Sequence, residues 1–210
     1  MIGGLIMVHS DDYGLVLPPK IAPKQVVIIP IGNSDEVDSL CEKVKDELNN
    51  NGITTYIDKT DKSPGFKFAE AEVNGIPVRI EIGARDLKEN KVTFARRDTR
   101  EKIVVDSNID YVSYTKELLD TIQKDMYERA LKRRDELTFT ATNLTEMEEI
   151  LNKQPGFIKA DWCGKKECEE KIKEIRGCKS RCITEDKFIT GKCVCCGRDA
   201  KHNVIWGIQY

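Results

Sequence analysis

The 210-residue sequence lacks several features that would point to common functional classes. No apolar segment approaches the roughly 18 to 20 residues that a membrane helix needs, so no membrane partner is expected. The apolar start, residues 1–8, has no basic region before it and is followed at once by polar residues, so a secretory signal is not expected. The net charge of −2 shows no overall basic character of the kind seen in DNA-coating proteins, so DNA is not expected as a partner.

Catalytic signals are also scarce. Only two histidines occur, His9 and His202, and neither has an evident pairing with a cysteine nucleophile. No glycine-rich phosphate loop follows the first predicted strand, which argues against a flavodoxin-like enzyme for small molecules. The sequence therefore predicts no catalytic residue within this chain.

Cysteines, in contrast, are concentrated at one end: seven of the eight follow residue 160. Close pair spacings without a secretory signal favour reduced, metal-binding thiols over disulfides. Cys163 and Cys168 form one pair, and Cys193 and Cys196 form a second with Gly197 behind it, as in a zinc knuckle. Together they offer the four soft ligands of a closed, structural zinc site whose occupancy is coupled to folding.

Three alternatives to this ligand set stay open. Cys195 competes with Cys196 as the partner of Cys193. Cys178 and Cys182 lie in the intervening segment and could also enter the site. The thiols could, finally, be unrelated.

The order of hydrophobic patterns predicts an α/β domain of about 110 residues, followed by a small second domain. In the first domain, strand, helix and strand imply right-handed parallel crossovers, and a hairpin and a long helix follow. Residues 138–143 are predicted as a polar linker and residues 1–10 as a short buried helix. The second domain has few apolar residues, so a bound metal is expected to stabilise it. The predicted strands are 25–31, 53–57, 78–82, 92–96, 103–105 and 157–162. The predicted helices are 35–48, one in the stretch 64–86 before its strand, 108–134, 144–153 and 165–176.

The stretch from Pro64 to Asp86 is more polar than a core element requires. Its strand alternates apolar and polar residues, which predicts one buried face and one polar face. The candidate hydrogen-bonding residues on and around that polar face are Lys67, Glu72, Arg79, Arg85 and Asp86. The alternative is a solvated face whose exposed ion pairs each contribute roughly 0 to 1 kcal/mol.

Three signatures resemble one family in its own order: VLPPKIAPKQVVIIPI, then PGFKFAEAEVNGIPVRIEIGARDL, then paired cysteines with a final Tyr. They strongly resemble the C-terminal portion of the archaeal and eukaryote-type prolyl-tRNA synthetases, a class II family. The resemblance implies that residues 1–22 are the tail of a class II catalytic domain and that residues 23–135 are a class II anticodon-binding domain with a mixed five-stranded sheet and flanking helices. It implies that residues 136–210 are a small α+β zinc-binding domain.

The resemblance also implies roles for individual residues. Lys67, Glu72, Arg79, Arg85 and Asp86 would read the two guanines of the proline anticodon, since guanine offers N7 and O6 as acceptors and N1 and N2 as donors. Arg96, Arg97 and Arg100 would contact the tRNA backbone. Tyr210 would reach towards the active site with its terminal carboxylate.

At the level of the whole protein, the resemblance implies a cytoplasmic, homodimeric ligase that uses ATP and Mg²⁺ to attach proline to tRNA(Pro), with one structural Zn²⁺ per chain. The first two class II motifs and the ATP-binding arginine of the third are absent from this chain, so it alone is not expected to be catalytic. A free-standing, zinc-stabilised RNA-binding or regulatory protein is the alternative. Met1 as a natural start would favour that alternative.

Overall fold

The computed structural model describes residues 2–32 and 34–208. The chain divides into two compact units, Met1–Glu128 and Arg129–Tyr210, and each is described by itself. None of the helices in the described part of the chain combines the length and the apolar character needed to span a membrane.

The first unit is built on a mixed five-stranded sheet with the strand order β4-β3-β5-β6-β7. The first three of these strands run parallel, and β5, β6 and β7 pair antiparallel. This arrangement confirms the predicted mixed five-stranded sheet. The elements that begin in this unit are α1 (Ile2–Val8), β1 (Ser10–Asp11), β2 (Gly14–Leu15), β3 (Val26–Ile31), α2 (Asp35–Asn50), β4 (Thr55–Ile57), α3 (Pro64–Val73), β5 (Val78–Gly83), α4 (Ala84–Lys88), β6 (Lys91–Arg96), β7 (Lys102–Asp106) and α5 (Tyr111–Glu136).

Hydrophobic burial explains the order of these elements. The central strand β3 is fully buried along residues 26–29, as its unbroken apolar run predicts. The helix α2 packs Val37, Cys41, Val44 and Leu48 against the sheet. Three acidic residues occupy its first turn, where negative charge interacts favourably with the helix dipole. One face of the sheet therefore carries a continuous apolar core.

The helix α3 and the tight turn that follows it pack against β2. The helix begins at Pro64 after Ser63, whose side chain accepts a hydrogen bond from the Phe66 amide. It is followed by Gly75, which has φ +69° and whose added Cβ would lie 2.6 Å from the Cβ of Leu15. Only glycine fits this turn, because both the backbone conformation and the space exclude a side chain.

The second unit contains a four-stranded sheet with the order β10-β11-β9-β8. The strands β8 and β9 are parallel, and the other neighbours are antiparallel. The core is centred on Trp206, Ile158, Met147 and Leu151, all at most 1% exposed. The elements are β8 (Thr138–Thr140), α6 (Leu144–Lys153), β9 (Phe157–Trp162), α7 (Lys166–Glu174), β10 (Cys178–Thr184) and β11 (His202–Ile208).

Three sequence-based expectations differ from the structure. The helix predicted within residues 1–10 is present as α1, but none of its residues is buried. The predicted polar linker 138–143 contains the strand β8, which pairs with β9. The strand β5 was expected to bury one face, whereas all six of its residues are buried. The helix α3 and the ion pairs of Arg79 cover the second face.

Candidate nucleic-acid interface and metal centre

The polar residues of β5 are held in a buried ion-pair network. The Arg79 side chain donates through Nε to Glu81 Oε1 at 3.0 Å and through Nη1 to Glu72 Oε1 at 3.3 Å. The second oxygen of Glu81 accepts a hydrogen bond from Lys102 Nζ at 3.0 Å. The side chains of Arg79 and Glu81 are each only 8% exposed, so they form an ion pair with each other rather than hydrogen bonds to water.

The register of the sheet explains why Lys102 reaches this network. Arg79 is paired with Ala95 on β6, and Ala95 is paired with Lys102 on β7, so the three residues form one row across the sheet. Residues directly opposite each other share a face of the sheet. The small side chain of Ala95 leaves the space across which Lys102 extends to Glu81.

An aromatic ring from α3 completes this surface. The ring centroid of Phe68 lies 4.3 Å from the guanidinium carbon of Arg79 and 5.0 Å from Lys102 Nζ. Cation–π contacts of this kind contribute about 0.5 to 2 kcal/mol, depending on solvation. Phe68, Glu81 and Lys102 were not among the predicted site residues. Phe68 precedes Glu72 by one helical turn, which is a readable signal, whereas the position of Lys102 requires the strand register.

Lys67, a predicted reader, is buried in the fold. Its Nζ donates to the backbone carbonyl of Asp58 at 2.9 Å and lies 4.0 Å from the Asp58 carboxylate. The lysine thereby ties α3 to the segment that follows β4. Its charge is satisfied inside the unit rather than presented at the surface.

Arg85 and Asp86 have a different environment. They lie on the one-turn helix α4, directly after β5, where Arg85 is exposed and Asp86 is half-buried. Neither side chain makes a hydrogen bond or ion pair with another residue in the described part of the chain. Of the five predicted readers, these two have polar atoms that the fold leaves available.

Two of the three arginines predicted to contact the tRNA backbone are buried and paired. Arg96 donates to Asp98 at 3.0 and 2.9 Å and to Asp125 at 2.6 Å, and these carboxylates raise the pKa of the Arg96 guanidinium further. Arg97 donates to both oxygens of Asp11, at 2.8 and 2.6 Å, and to the Glu72 carbonyl at 2.9 Å. The Arg97 guanidinium lowers the pKa of Asp11 to about 2. Both arginines thus already bind carboxylates of the protein.

Arg100, the third of these arginines, is partly exposed. Its residue has φ +61°, and its guanidinium carbon lies 3.6 Å from the ring centroid of Tyr13. The side chain is 45% exposed and lies 3.9 Å from Glu72. Arg100 is therefore the one member of the predicted trio whose charge reaches the surface.

Four cysteine sulfurs of the second unit converge on one point. The Sγ atoms of Cys163, Cys168, Cys193 and Cys196 all lie within 4.8 Å of one another. Cys163 lies 3.6 Å from Cys168 and 3.8 Å from Cys196, measured between sulfurs. A tetrahedral site with metal–sulfur bonds of about 2.3 Å has sulfur–sulfur edges of about 3.8 Å, so this group fits a metal ion of that kind. No disulfide links any of the eight cysteines, all of which are described.

Backbone geometry orients the second pair of thiols. The Cys193 amide donates to the Arg198 carbonyl at 2.7 Å, and the Gly197 amide donates to the Cys193 carbonyl at 2.9 Å. Gly197 has φ +70°, the left-handed conformation that the tight turn requires. This geometry agrees with the zinc-knuckle pattern, a cysteine pair followed by Gly197, that the sequence shows.

The four thiols differ in exposure. Burial raises the pKa values of Cys168 and Cys193, whereas Cys196 is exposed and accepts a hydrogen bond from Arg198 Nε at 3.3 Å. That hydrogen bond is the main cause of a Cys196 pKa of about 6. Cys195, the competing candidate, packs against the cluster but is not part of the group of four.

The remaining predicted residue, Tyr210, lies outside the described residues. Cys178 is buried on β10, and Cys182 is exposed on the same strand. Neither belongs to the group of four sulfurs.

Comparison with known proteins agrees with this architecture. Residues 25–124 match the family model "Anticodon binding domain", and residues 144–210 match "Prolyl-tRNA synthetase, C-terminal". The first unit is thus built around an anticodon-binding domain. The chain as a whole corresponds to the C-terminal portion of the prolyl-tRNA synthetases, as the sequence resemblance predicts.

Individual relatives match over the full length of the chain. It is 49% identical to a proline–tRNA ligase of Clostridium novyi and 48% identical to one of Lachnospira eligens, covering 100% of this chain and 44% of each relative. A crystal structure of prolyl-tRNA synthetase from Cryptosporidium parvum, complexed with L-proline and AMP, matches with a TM-score of 0.91 and 34% identity, covering 100% of this chain and 46% of that one. The chain therefore spans less than half the length of these relatives. The alternative of a free-standing regulatory protein is not favoured.

Proposed function

We propose that this chain is the tRNA-reading portion of an ATP-dependent ligase that joins proline to tRNA(Pro). In this proposal residues 1–22 are the tail of the catalytic domain, residues 23–135 read the anticodon, and residues 136–210 form a metal-stabilised domain. ATP and Mg²⁺ would act in the catalytic part of the whole ligase, which would be a cytoplasmic homodimer. The observation that carries the proposal is the match of residues 25–124 to anticodon-binding domains.

Direct base reading is assigned to Asp86 and Arg85, because their polar atoms are not used by the fold. A guanine presents N1–H and N2–H as donors, which suit the Asp86 carboxylate, and O6 and N7 as acceptors, which suit the Arg85 guanidinium. The half-buried position of Asp86 would reduce competition from water for such a hydrogen bond.

The other predicted readers act mainly by positioning. Arg79 uses its nitrogens on Glu81 and Glu72, and it lies against the ring of Phe68. This rigid arrangement gives Phe68 a fixed orientation, suitable for stacking on an unpaired base. Lys67 fixes the helix that carries Phe68 and Glu72.

Backbone contact in this unit is assigned to Arg100 alone among the three predicted arginines. Arg96 and Arg97 are less than 9% exposed and would have to break buried ion pairs to bind phosphate. Removing a partner from a buried pair costs about 3 to 5 kcal/mol, which exceeds the gain from a solvated phosphate contact. Arg100 would give up only its 3.9 Å contact with Glu72, a pair that is partly exposed.

The metal is proposed to be one Zn²⁺ per chain, bound by Cys163, Cys168, Cys193 and Cys196. A closed set of four thiolates favours zinc and leaves no open position for substrate, so the metal would stabilise the fold. This role fits a small unit whose thiols are mostly buried beside the core.

The test is anticodon discrimination by an Asp86→Ala variant of the 210-residue chain. Dissociation constants are measured for a tRNA with the proline anticodon and for the same tRNA with an unrelated anticodon. Loss of a specific base contact costs about 1 to 3 kcal/mol of discrimination, so the preference should fall roughly 5- to 150-fold. The control is Asp120→Ala, which removes an exposed carboxylate from α5 and should leave the preference unchanged. An equal loss of affinity for both tRNAs would assign Asp86 to structure.

A further inference from the structure

The second unit contains a basic pocket beside the cysteine cluster, and we propose that it binds phosphate groups of the RNA backbone. The cavity has a volume of about 440 Å³ and is lined by Cys163, Lys165, Lys192, Arg198, Asp199 and Lys201. That the RNA is a tRNA rests on the proposed function, whereas the phosphate chemistry rests on the pocket itself.

Charge is distributed unevenly between the two units. Residues 1–128 contain 17 lysine and arginine and 23 aspartate and glutamate residues, for a formal charge of −6. Residues 129–210 contain 17 and 13, for a formal charge of +4. The overall charge of −2 therefore hides a basic unit, and phosphate binding depends on such local charge.

Hydrogen bonds to β9 and to the turn that carries Cys193 and Cys196 fix the backbone around the pocket. The Trp162 indole donates to the Lys165 carbonyl at 3.2 Å, and the Lys201 amide donates to the Trp162 carbonyl at 2.9 Å. Lys192 and Asp199 are joined by a β-bridge. The cationic side chains thus start from fixed backbone positions, which reduces the entropy lost when they close on an anion.

Two of the four cations already have partners. Lys192 Nζ lies 2.6 Å from Asp199, and Arg198 donates to Cys196 Sγ. Lys165 and Lys201 are exposed and form no ion pair in the described part of the chain. They are the side chains available to bind a phosphate.

The negative charge of a metal site would not neutralise all the cations that line the pocket. Four thiolates with one divalent ion carry a formal charge of −2, and Asp199 adds one more negative charge. Four cations line the pocket, so one positive charge remains after both are offset. The lining holds no aromatic ring on which a base could stack, so the pocket would position RNA without reading its sequence.

The test uses the double variant Lys165→Gln, Lys201→Gln of the full 210-residue chain. Dissociation constants are measured between 50 and 300 mM salt for the tRNA with the proline anticodon and for the same tRNA with an altered anticodon. Each lost phosphate contact lowers the slope of log K against log salt by about 0.7 to 0.9. The double variant should therefore lose about 1.5 in slope and about tenfold or more in affinity at 100 mM salt, equally for both RNAs.

The matched control is Lys171→Gln, Lys173→Gln, which removes the same charge from exposed positions of α7 that do not line the pocket. It should keep most of the affinity and slope. Equal behaviour of the two double variants would overturn the proposal, as would loss of bound metal from the Lys165/Lys201 variant alone, which would mean that the cations serve the thiolates. Tight binding of inorganic phosphate to the parent chain, with RNA affinity unaffected by the variant, would also overturn it.

This outcome is separable from failure of the proposed function. The pocket controls affinity for both RNAs, whereas the proposed function requires the parent chain to prefer the proline anticodon. If the parent chain shows no such preference but its salt slope depends on Lys165 and Lys201, anticodon reading is refuted and the phosphate-binding proposal for the pocket stands.

Discussion

The proposed metal site can be tested at the most exposed of its four candidate ligands. Cys163, Cys168 and Cys193 are buried, so replacing any of them also leaves a cavity or a misplaced polar group. Cys196 is exposed, and Cys196→Ala removes a thiolate with little change in packing. The matched control is Cys195→Ala, which removes the neighbouring thiol that lies outside the group of four.

The expected loss of stability follows from linkage between metal binding and folding. At free zinc a thousandfold above the dissociation constant, a bound metal stabilises the folded unit by about 4.1 kcal/mol. A hundredfold weaker affinity would remove about 2.7 kcal/mol of this, and complete loss of binding would remove all of it. For a unit of this size, residues 129–210, that corresponds to a fall of roughly 10 to 30 °C in melting temperature.

Tryptophan fluorescence gives a readout specific to this unit. The sequence has two tryptophans, and both Trp162 and Trp206 lie in the second unit. Trp162 packs against the cysteine cluster, and Trp206 is fully buried in the core. Their emission on heating, at zinc concentrations fixed by a metal buffer, reports the melting of this unit. Metal content and affinity are measured in parallel by elemental analysis and chelator competition.

Two results would contradict the proposed ligand set. If Cys196→Ala keeps the parent affinity and melting temperature, the exposed thiol is not a ligand. If Cys195→Ala instead loses the metal, the ligand set is wrong by one position, and Cys195 completes the site.

Two further predictions concern the first unit. Glu81→Gln should destabilise this unit by about 1.5 to 3 kcal/mol in urea unfolding, because it removes the charged acceptor of the buried Arg79. Glu89→Gln breaks only an exposed pair and should cost less than about 1 kcal/mol; equal costs would contradict the buried network. The pKa of Asp11 is lowered to about 2 by Arg97, so its contribution is present above the usual pKa of 3.8 and is lost as pH falls from about 4 to 2. Because Asp11 is 40% exposed, Asp11→Asn should cost only about 1 kcal/mol at pH 7 and flatten that acid dependence; an unchanged acid profile would argue against the pair.

Much of the fold could be predicted from periodicity. The buried run of β3, the amphipathic face of α2 and the long helix α5 all lie where their patterns place them. The strand β8 was missed because three residues of polar sequence carry too little pattern, and its pairing partner is distant in the chain. The exposure of α1 was missed because apolar composition does not reveal whether another segment covers a helix.

The candidate sites were predictable to different degrees. The four thiols could be predicted because each pair is close in sequence. Only the long-range contact between the two pairs had to be inferred. The arginines of the first unit could not be sorted, because Arg96 and Arg97 look in sequence like Arg100. Only the fold shows that Asp125 and Asp11, both far away along the chain, neutralise the first two.

Taken together, the proposals divide specificity and affinity between the two units. The first unit carries a formal charge of −6, and several of its arginines are held by carboxylates, so its general attraction for RNA phosphate is weak. A weakly attractive surface suits base reading, since its few available groups, such as Asp86 and Arg85, then dominate the choice between anticodons. The second unit, with a formal charge of +4, supplies attraction that does not depend on sequence. The salt dependence of tRNA binding should therefore follow the lysines of the basic pocket, and the anticodon preference should follow α4.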